Sequence, residues 1–347
     1  MTNWFFWLHP LRGIAAFGVI LLHCYWTWTL YDHAIIRKMY LMVDLFFILS
    51  GFVISAGYGE RINSWREAVI FVQRRLRRLY VQYASSGFIW LVATVIAGVA
   101  YLSISTLFEI MRFMTFTSFL YHDDEIKINP VAWSVMGEFW VYFSFALFWL
   151  IVKTPFWRVI VCAAVCLSCC WWLAMYAIDQ NIVSGGIVLV RTLTGFYFGV
   201  FCYLAISMAG RFVYLLGFFC LFAIIAITGV NRDLIFLVFF AVIILGIVQI
   251  RPPRVIGFQK MFTWMGDISY PLYLWHFLVS VVMAKSIVAL RSTSFVYFEG
   301  ERFVAIEALS GDFAVFLVVA ISVFVAQVAM YLERRYRLYS DRFKTSR

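Results

Sequence analysis

Long apolar runs separated by short polar segments extend along the whole chain. A helix needs about 20 mostly apolar residues to cross a membrane, and about ten segments meet that requirement. We therefore predict an all-α fold, a polytopic membrane helix bundle with about ten transmembrane helices. The predicted spans are roughly 11–30, 41–58, 80–103, 131–152, 157–178, 185–206, 211–229, 233–250, 266–288 and 312–333.

The composition agrees with this pattern. Of the 347 residues, 64% are hydrophobic and only 13% are charged, whereas about 25% of the residues of a soluble domain are charged. No polar stretch is long enough to fold as a separate soluble domain. The sequence therefore predicts one integral-membrane domain over residues 1–347.

The net charge of +10 comes from basic residues in short loops and in the C-terminal tail. With the N-terminus inside, the inner loops and tail hold 18 Lys and Arg residues and the outer loops hold 7. An excess of Lys and Arg marks the cytoplasmic side of membrane proteins. We therefore predict that both termini are cytoplasmic, and no nucleic-acid partner is expected.

Ionisable residues stand inside five of the predicted spans, where they are costly and usually functional. Arg12 and His23 lie 11 residues apart in the first span, on one helix face and about 16 Å apart along the axis. Arg12 could snorkel to the interface, and His23 could be a core histidine. A single shared polar cavity explains the whole set better, and the other members are Asp44, Glu138, Arg191 and His276.

A basic amphipathic segment precedes the third span, "RINSWREAVIFVQRRLRRLYVQY" from Arg61 to Tyr83. Such a segment can anchor to lipid headgroups, or its arginines can bind the phosphates of a nucleotide. With Arg12 nearby and His23 deeper in the membrane, the layout suits a ligand with a charged cytoplasmic head and an inward arm. A proton-coupled transporter of a small anion is the alternative, although the sequence shows no inverted repeat.

Three cysteines, Cys162, Cys166 and Cys169, share one face of the fifth span. A metal site would need such a cluster, but no histidine or carboxylate accompanies it. We interpret these residues as small buried hydrophobic groups and expect no bound metal.

The polar positions occur in motifs that resemble those of the membrane acyltransferase-3 family, which O-acylates bacterial glycans and related acceptors. "LRGIAAFGVILLH" is similar to the family's Arg-x10-His signature and "VDLFFILSGFVIS" to its second-span motif, with Ser50 in it. "RRLRRLY" resembles its basic motif, placed on Arg75 and Arg77, and "WSVMGEFWVY" its Trp-Ser-x3-Glu motif, with Ser134 and Glu138. "RTLTGFYFGVFCY" and "ISYPLYLWHFLV" follow in the same order. His9 departs from the family, which more often has an acidic or polar residue there.

The resemblance implies a transmembrane acyltransferase of the bacterial inner (cell) membrane, surrounded by membrane lipids. Its co-substrate would be acyl-CoA, with acetyl-CoA expected first, on the cytoplasmic side, and no cofactor would be permanently bound. The acceptor would be a hydroxyl of a glycan or lipid-linked saccharide on the outer side.

For acyl transfer from a thioester to an alcohol, His23 is the expected general base, because imidazole titrates near neutrality. Glu138 could orient it and stabilise the imidazolium, as in hydrolase triads, if the two spans are adjacent. We expect direct transfer of the acyl group, and an acyl-histidine intermediate is the alternative. Arg12, Arg75 and Arg77 would hold the donor phosphates.

The pocket has five further candidates: Asp44, Ser50, Ser134, Arg191 and His276. Arg191 and His276 could contact the oxyanion or carbonyl, or His276 could make only core hydrogen bonds. Asp44 could meet the acceptor, cap a helix, or pair with Arg37 or Lys38.

Overall fold

The computed structural model describes residues 6–96, 103–121, 128–178, 181–207, 212–253, 255–291, 295–298, 301–306 and 308–345. Twelve α-helices and one hairpin are found there. The helices are α1 (Leu8–Leu22), α2 (Ala34–Arg37), α3 (Met42–Tyr58), α4 (Trp65–Ile96), α5 (Ile104–Met114), α6 (Trp133–Ile151), α7 (Pro155–Tyr176), α8 (Ile187–Ser207), α9 (Phe212–Thr228), α10 (Ile235–Ile247), α11 (Ile256–Arg291) and α12 (Ala308–Thr345). The hairpin pairs β1 (Phe295–Phe298) with β2 (Glu301–Val304) in antiparallel register.

The predicted polytopic helix bundle is confirmed, and each predicted span overlaps one helix. In the described part of the chain, seven helical segments are long and apolar enough to cross a membrane. The other three overlapping helices, α1, α9 and α10, have 15, 17 and 13 residues, which is shorter than a typical span. The cytoplasmic location of the termini stays a prediction, and four of the basic residues counted for it, Lys127, Arg211, Arg254 and Arg347, lie outside the described residues.

Two boundaries differ from the prediction. The first span was predicted to reach residue 30, but α1 ends at Leu22. The third was predicted to begin near residue 80, but α4 begins at Trp65. The basic segment is therefore the first half of one continuous 32-residue helix, and its arginines have fixed positions around that helix. The short helix α5 was not predicted; its N-terminus has a capping box, made by Ser103 and Thr106.

Glycines let two of the central helices meet backbone to backbone. A Cβ atom at Gly51 of α3 would lie 1.9 Å from the carbonyl oxygen of Phe196 in α8. One at Gly199 of α8 would lie 2.0 Å from the carbonyl oxygen of Ile48 in α3. Small residues allow this close approach between membrane helices, so the contact fixes the height of α3 against α8.

Helix α1 lies between two apolar cores, which fixes the direction of its polar residues. Ala15 and Val19 belong to the larger core around α3, α6 and α8. Ala16 and Ile20 belong to a smaller core with α11 and α12. Because both sides of α1 are packed, its polar residues have one direction left, toward the space between these cores.

Candidate active site

Helix α1 ends where its candidate base stands. His23 is the first residue after the helix, and its backbone N–H still bonds to the carbonyl oxygens of Val19 and Ile20. Residues 24–28 have no regular secondary structure apart from a bridge between Trp26 and Val304, and contacts with other parts of the chain fix their position. Thr27 N donates to Val304 O of β2 at 2.9 Å, and Trp26 Nε1 donates to Gly311 O of α12 at 3.1 Å. These contacts draw the chain out of the helix and explain why the predicted first span is too long.

His23 contacts a second histidine, His276 of α11. The Nδ1 atom of His276 lies 2.7 Å from the carbonyl oxygen of Tyr273, so it carries a proton and donates. In a neutral imidazole the other nitrogen then accepts. That nitrogen, Nε2 of His276, lies 3.0 Å from Nδ1 of His23. Nδ1 of His23 must therefore be the donor. The same Nδ1 lies 2.9 Å from the carbonyl oxygen of Val19, which favours the same assignment.

These hydrogen bonds assign the tautomer of His23. With the proton on Nδ1, its Nε2 atom has a lone pair and, in the described part of the chain, no hydrogen-bond partner. The ring is also held by edge-on aromatic contacts, with centroids 5.0 Å from Phe277 and 5.9 Å from Tyr25. His23 is therefore a fixed imidazole whose basic nitrogen is available. A ring held by a hydrogen bond to its other nitrogen is typical of catalytic histidines.

His23 lines a cavity of about 500 Å³ at the C-terminal end of α1. This volume lies within the usual range of small-molecule sites, roughly 300–1,000 Å³. Arg37 and Lys38 lie at its wall. Seven residues of the remaining wall are aromatic: Tyr25, Trp28, Tyr31, Tyr40, Trp133, Phe277 and Phe303. In the predicted orientation the cavity lies toward the outer side.

Glu138 does not take the predicted place beside His23. Its carboxylate accepts hydrogen bonds from Ser50 of α3 and from Tyr142, one turn further along α6. The position next to His23 is occupied by His276 instead. The predicted pairing of Glu138 with His23 is therefore wrong for the described structure, because α11 and not α6 packs along α1 at this level.

Glu138 belongs to a polar group at the other end of α1. Arg12, Ser50 and Glu138 line one small cavity of about 40 Å³. Charges on Arg78, Glu138 and Arg75 act on the Arg12 guanidinium. In the described part of the chain that guanidinium makes no hydrogen bond or ion pair. An arginine in this state is suited to receive an anionic ligand.

The two arginines that carry the basic motif lie on different sides of α4. Arg75 is buried, with its guanidinium 4.5 Å from the ring centre of Tyr58, and its Nε atom has no hydrogen-bond partner. Arg77 is exposed, since two residues rotate a helix by about 200°. Arg78, only about 60° from Arg75, is also exposed, but its charge acts on the Arg12 guanidinium. The structure thus joins Arg12, Arg75 and Arg78 into one group, which we call the inner arginines.

Asp44 and Arg191 form a buried ion pair. Arg191 donates from Nε to Asp44 Oδ1 at 3.0 Å and from Nη2 to Oδ2 at 2.9 Å. It also donates to the carbonyl oxygens of Tyr40 and Ile182. The side chains of Asp44 and Arg191 are 0% and 1% exposed. Their candidate contacts with an acceptor, an oxyanion or a carbonyl stay predictions, and the ion pair supports neither of them. Asp44 was also considered as a partner of Lys38, but Lys38 pairs with Asp233 instead.

Ser134 and Tyr273 lie between the two cavities. The Ser134 hydroxyl donates to the Tyr273 hydroxyl at 2.8 Å, and Tyr273 in turn donates to the carbonyl oxygen of Val131 at 2.8 Å. Phe46 packs edge-on against the Tyr273 ring. Both Ser134 and Tyr273 line the small cavity, while Val131 lines the large one. These side chains separate the inner arginines from His23.

Sequence reasoning did not identify Arg78, Tyr142 or Tyr273. Helical spacing could have identified Arg78 and Tyr142, which lie three residues from Arg75 and four from Glu138. No comparable pattern marks the tyrosine in "ISYPLYLWH". His9, whose role was open, packs against Gly266 of α11. The thiols of Cys162 and Cys166 donate to carbonyl oxygens of α8, as suits buried cysteines.

Comparison with known proteins gives a match at the level of the family. The sequence model of the family Acyl_transf_3, described as an acyltransferase domain, matches residues 5–332. No curated protein and no solved structure matches the chain. The matched range contains every residue of the two cavities and of the histidine pair.

Proposed function

Because the chain belongs to the acyltransferase-3 family, we propose that this membrane acyltransferase carries an acyl group across the bilayer. The donor is acyl-CoA, in the first place acetyl-CoA, on the cytoplasmic side. The acceptor is a hydroxyl of a glycan or lipid-linked saccharide on the outer side of a bacterial cell membrane. The observation that carries the proposal is the arrangement of α1, with Arg12 among the inner arginines and His23 on the large cavity.

The distance between these two residues suits the shape of the donor. Eleven residues of helix separate Arg12 from His23 by about 16 Å. Phosphates of coenzyme A held by Arg12, Arg75 and Arg78 would leave the pantetheine arm to extend along α1. Its path would follow the small cavity and pass Ser134 and Tyr273, which must move aside. The thioester would then reach the cavity where His23 and the acceptor meet.

In the reaction, His23 acts as the general base. Its Nε2 removes the proton from the acceptor hydroxyl while the oxygen attacks the thioester carbonyl carbon. The C–S bond then breaks, and the proton on Nε2 passes to the leaving thiolate. While His23 is an imidazolium, its Nδ1–H stays bonded to Nε2 of His276, which holds the ring and spreads the charge. In the alternative, Nε2 itself attacks the thioester carbonyl carbon and the thiolate leaves, giving an acyl-histidine. The acceptor hydroxyl then attacks this acyl group and loses its proton, to the departing thiolate or to Nε2 as the histidine is released.

Glu138 serves the donor end in this scheme. Its carboxylate balances the charge of the inner arginines when no phosphate is bound, since it lies at the same small cavity as Arg12. It is held by Ser50 and Tyr142, so its position does not depend on the ligand. Removing its charge should therefore affect donor binding before it affects proton transfer.

The test uses purified protein in nanodiscs with acetyl-CoA radiolabelled on the acetyl group. We expect label to pass to a saccharide acceptor with release of one free coenzyme A per acetyl group, and His23→Ala to abolish both. Uptake of a small anion into vesicles, with no consumption of the thioester, would contradict the proposal and support the transporter alternative.

A further inference from the structure

The hairpin between α11 and α12 forms part of the wall of the large cavity. Its strand β2 pairs with the segment that follows His23, since Val304 N donates to Tyr25 O at 2.9 Å and Thr27 N donates to Val304 O at 2.9 Å. Successive side chains of a strand point to opposite faces. Val304 accordingly packs in the smaller apolar core, whereas Phe303 lines the large cavity. The hairpin therefore brings an aromatic ring from far along the chain to the cavity that His23 lines.

Phe303 meets two tyrosines of the segment after α1. Its ring centroid lies 5.4 Å from that of Tyr31 and 6.4 Å from that of Tyr25, with angles of 61° and 48° between the ring planes. All three residues line the large cavity, and we call them the outer aromatic cluster. In a core pair such as Tyr83 and Phe113 the rings stack at 4.2 Å and 9°, so each ring covers a face of the other. The rings of the outer aromatic cluster are inclined to one another and do not cover each other in this way.

The cluster is anchored near the start of α12, at the end of that helix predicted to lie outside. Thr29, two residues before Tyr31, donates from its backbone N–H to Asp312 Oδ1 at 2.9 Å. The pantetheine arm of the donor would enter the cavity from another direction, past Ser134 and Tyr273, which line the small cavity. In the proposed function the outer aromatic cluster therefore lies on the side of the acceptor.

We propose that the outer aromatic cluster binds a sugar ring of the acceptor, an inference that rests on the proposed function. A pyranose ring has C–H groups on its face and hydroxyl groups around its edge. A tyrosine matches both parts, because its ring is apolar and its hydroxyl can donate and accept hydrogen bonds. A sugar bound there shares the cavity with His23, so one of its hydroxyls can be presented to Nε2. The hairpin thus has a part in choosing the acceptor.

Tyr31 is the member of the cluster to substitute, because the Tyr25 ring contacts His23 itself and Phe303 is buried. Transfer of labelled acetyl from acetyl-CoA is measured with protein in nanodiscs. The acceptors are the octyl glycosides of glucose, galactose, mannose, rhamnose and N-acetylglucosamine, whose octyl chain enters the bilayer. The glycoside with the highest kcat/KM for the wild type is then used for the variants.

The variant Tyr31→Leu removes the flat ring and should raise the KM for that glycoside by about three- to tenfold, the scale of one lost ring contact. Its KM for acetyl-CoA should stay that of the wild type, which also shows that it is folded. Tyr31→Gln, a polar variant without a ring, should behave in the same way. Tyr31→Phe keeps the ring and should retain most of the affinity for the glycoside. Tyr176→Leu is the control, because Tyr176 is an exposed tyrosine at the end of α7 that does not line the cavity.

An unchanged KM for the glycoside in Tyr31→Leu and Tyr31→Gln would overturn the proposal, and so would an equal rise in the Tyr176→Leu control. The acyl chain of the donor is the other ligand with apolar groups. If the glycoside KM is unchanged in Tyr31→Leu but the ratio of the rates with acetyl-CoA and hexanoyl-CoA changes, the cluster binds the acyl chain and the proposal is wrong. Failure of the proposed function gives a different result, because wild-type protein would then transfer acetyl to none of the glycosides.

Discussion

Nε2 of His276 and Nδ1 of His23 are 3.0 Å apart, and this contact connects α11 to the end of α1. Since Nδ1 of His276 donates to the carbonyl oxygen of Tyr273, the backbone of α11 determines which nitrogen of His23 is basic. The orienting group of the proposed base is therefore a second imidazole, without the negative charge that a carboxylate would bring into the membrane.

Substitutions of His276 should show whether this residue orients the His23 ring or only supports the fold. His276→Ala removes the acceptor for the His23 Nδ1–H, so we expect kcat to fall by about 10²-fold or more with little change in KM. His276→Gln can still accept from that N–H through its side-chain carbonyl and should keep a larger part of the activity. A pH–rate profile should move in the alanine variant. Equal activity of the two variants with an unchanged profile would show that His276 only fills space.

The variant Glu138→Gln should affect the binding of acyl-CoA more than the proton transfer. The amide keeps a carbonyl oxygen for Ser50 and Tyr142 but removes the charge that faces Arg12. Steady-state kinetics should show a changed KM for acyl-CoA and a pH profile of kcat that matches the wild type. A profile that loses a titration on its acidic side, where a carboxylate acting as a base is protonated, would place Glu138 in proton transfer, contrary to the geometry.

The Asp44–Arg191 pair should be structural. Breaking one partner of a buried ion pair costs about 3–5 kcal/mol, so Asp44→Asn and Arg191→Met should each lower the thermal unfolding midpoint in detergent. Asp44→Leu/Arg191→Met leaves no buried charge unpaired and should be more stable than either single variant. If the single variants are stable but inactive, the pair belongs to the reaction.

Among the arginines of α4, position relative to Arg12 should decide how much a substitution raises the KM for acyl-CoA. Arg75→Gln and Arg78→Gln should each raise the KM for acyl-CoA by about one to two decades, because a charged hydrogen bond contributes about 1.5–3 kcal/mol. Arg66→Gln removes the same charge from the exposed first turn of α4 and serves as the control. A similar KM in all three variants would mean that charge near the membrane, and not contact, attracts the donor.

The sequence predicts the bundle and the residues of the site better than it predicts their partners. Hydrophobic length reveals a span, and an ionisable residue within it stands out because it is costly there. Which two such residues meet depends on how helices far apart in the chain pack. His23 and His276 are 253 residues apart, and nothing in the local pattern favours this pair over His23 with Glu138.

Two local errors have identifiable causes. The first span appeared longer than α1 because residues 24–30 are apolar enough to continue it, while the hydrogen bonds from Trp26 and Thr27 to the region of β2 and α12 are long-range. The choice of Arg77 over Arg78 followed the resemblance of the motif, whereas helical periodicity alone favours Arg78 as the neighbour of Arg75.

The central claim is that His23 is the base and that its direction matters, and exchanging two neighbouring residues tests it most directly. Leu22→His/His23→Leu keeps the composition and hydrophobicity but rotates the imidazole by about 100°, away from His276. Transfer of labelled acetyl from acetyl-CoA to an acceptor is measured across vesicles that hold wild-type or exchanged protein. We predict donor binding like the wild type and no transfer by the exchanged protein. Near-normal transfer would contradict the account, because the base would then lie elsewhere.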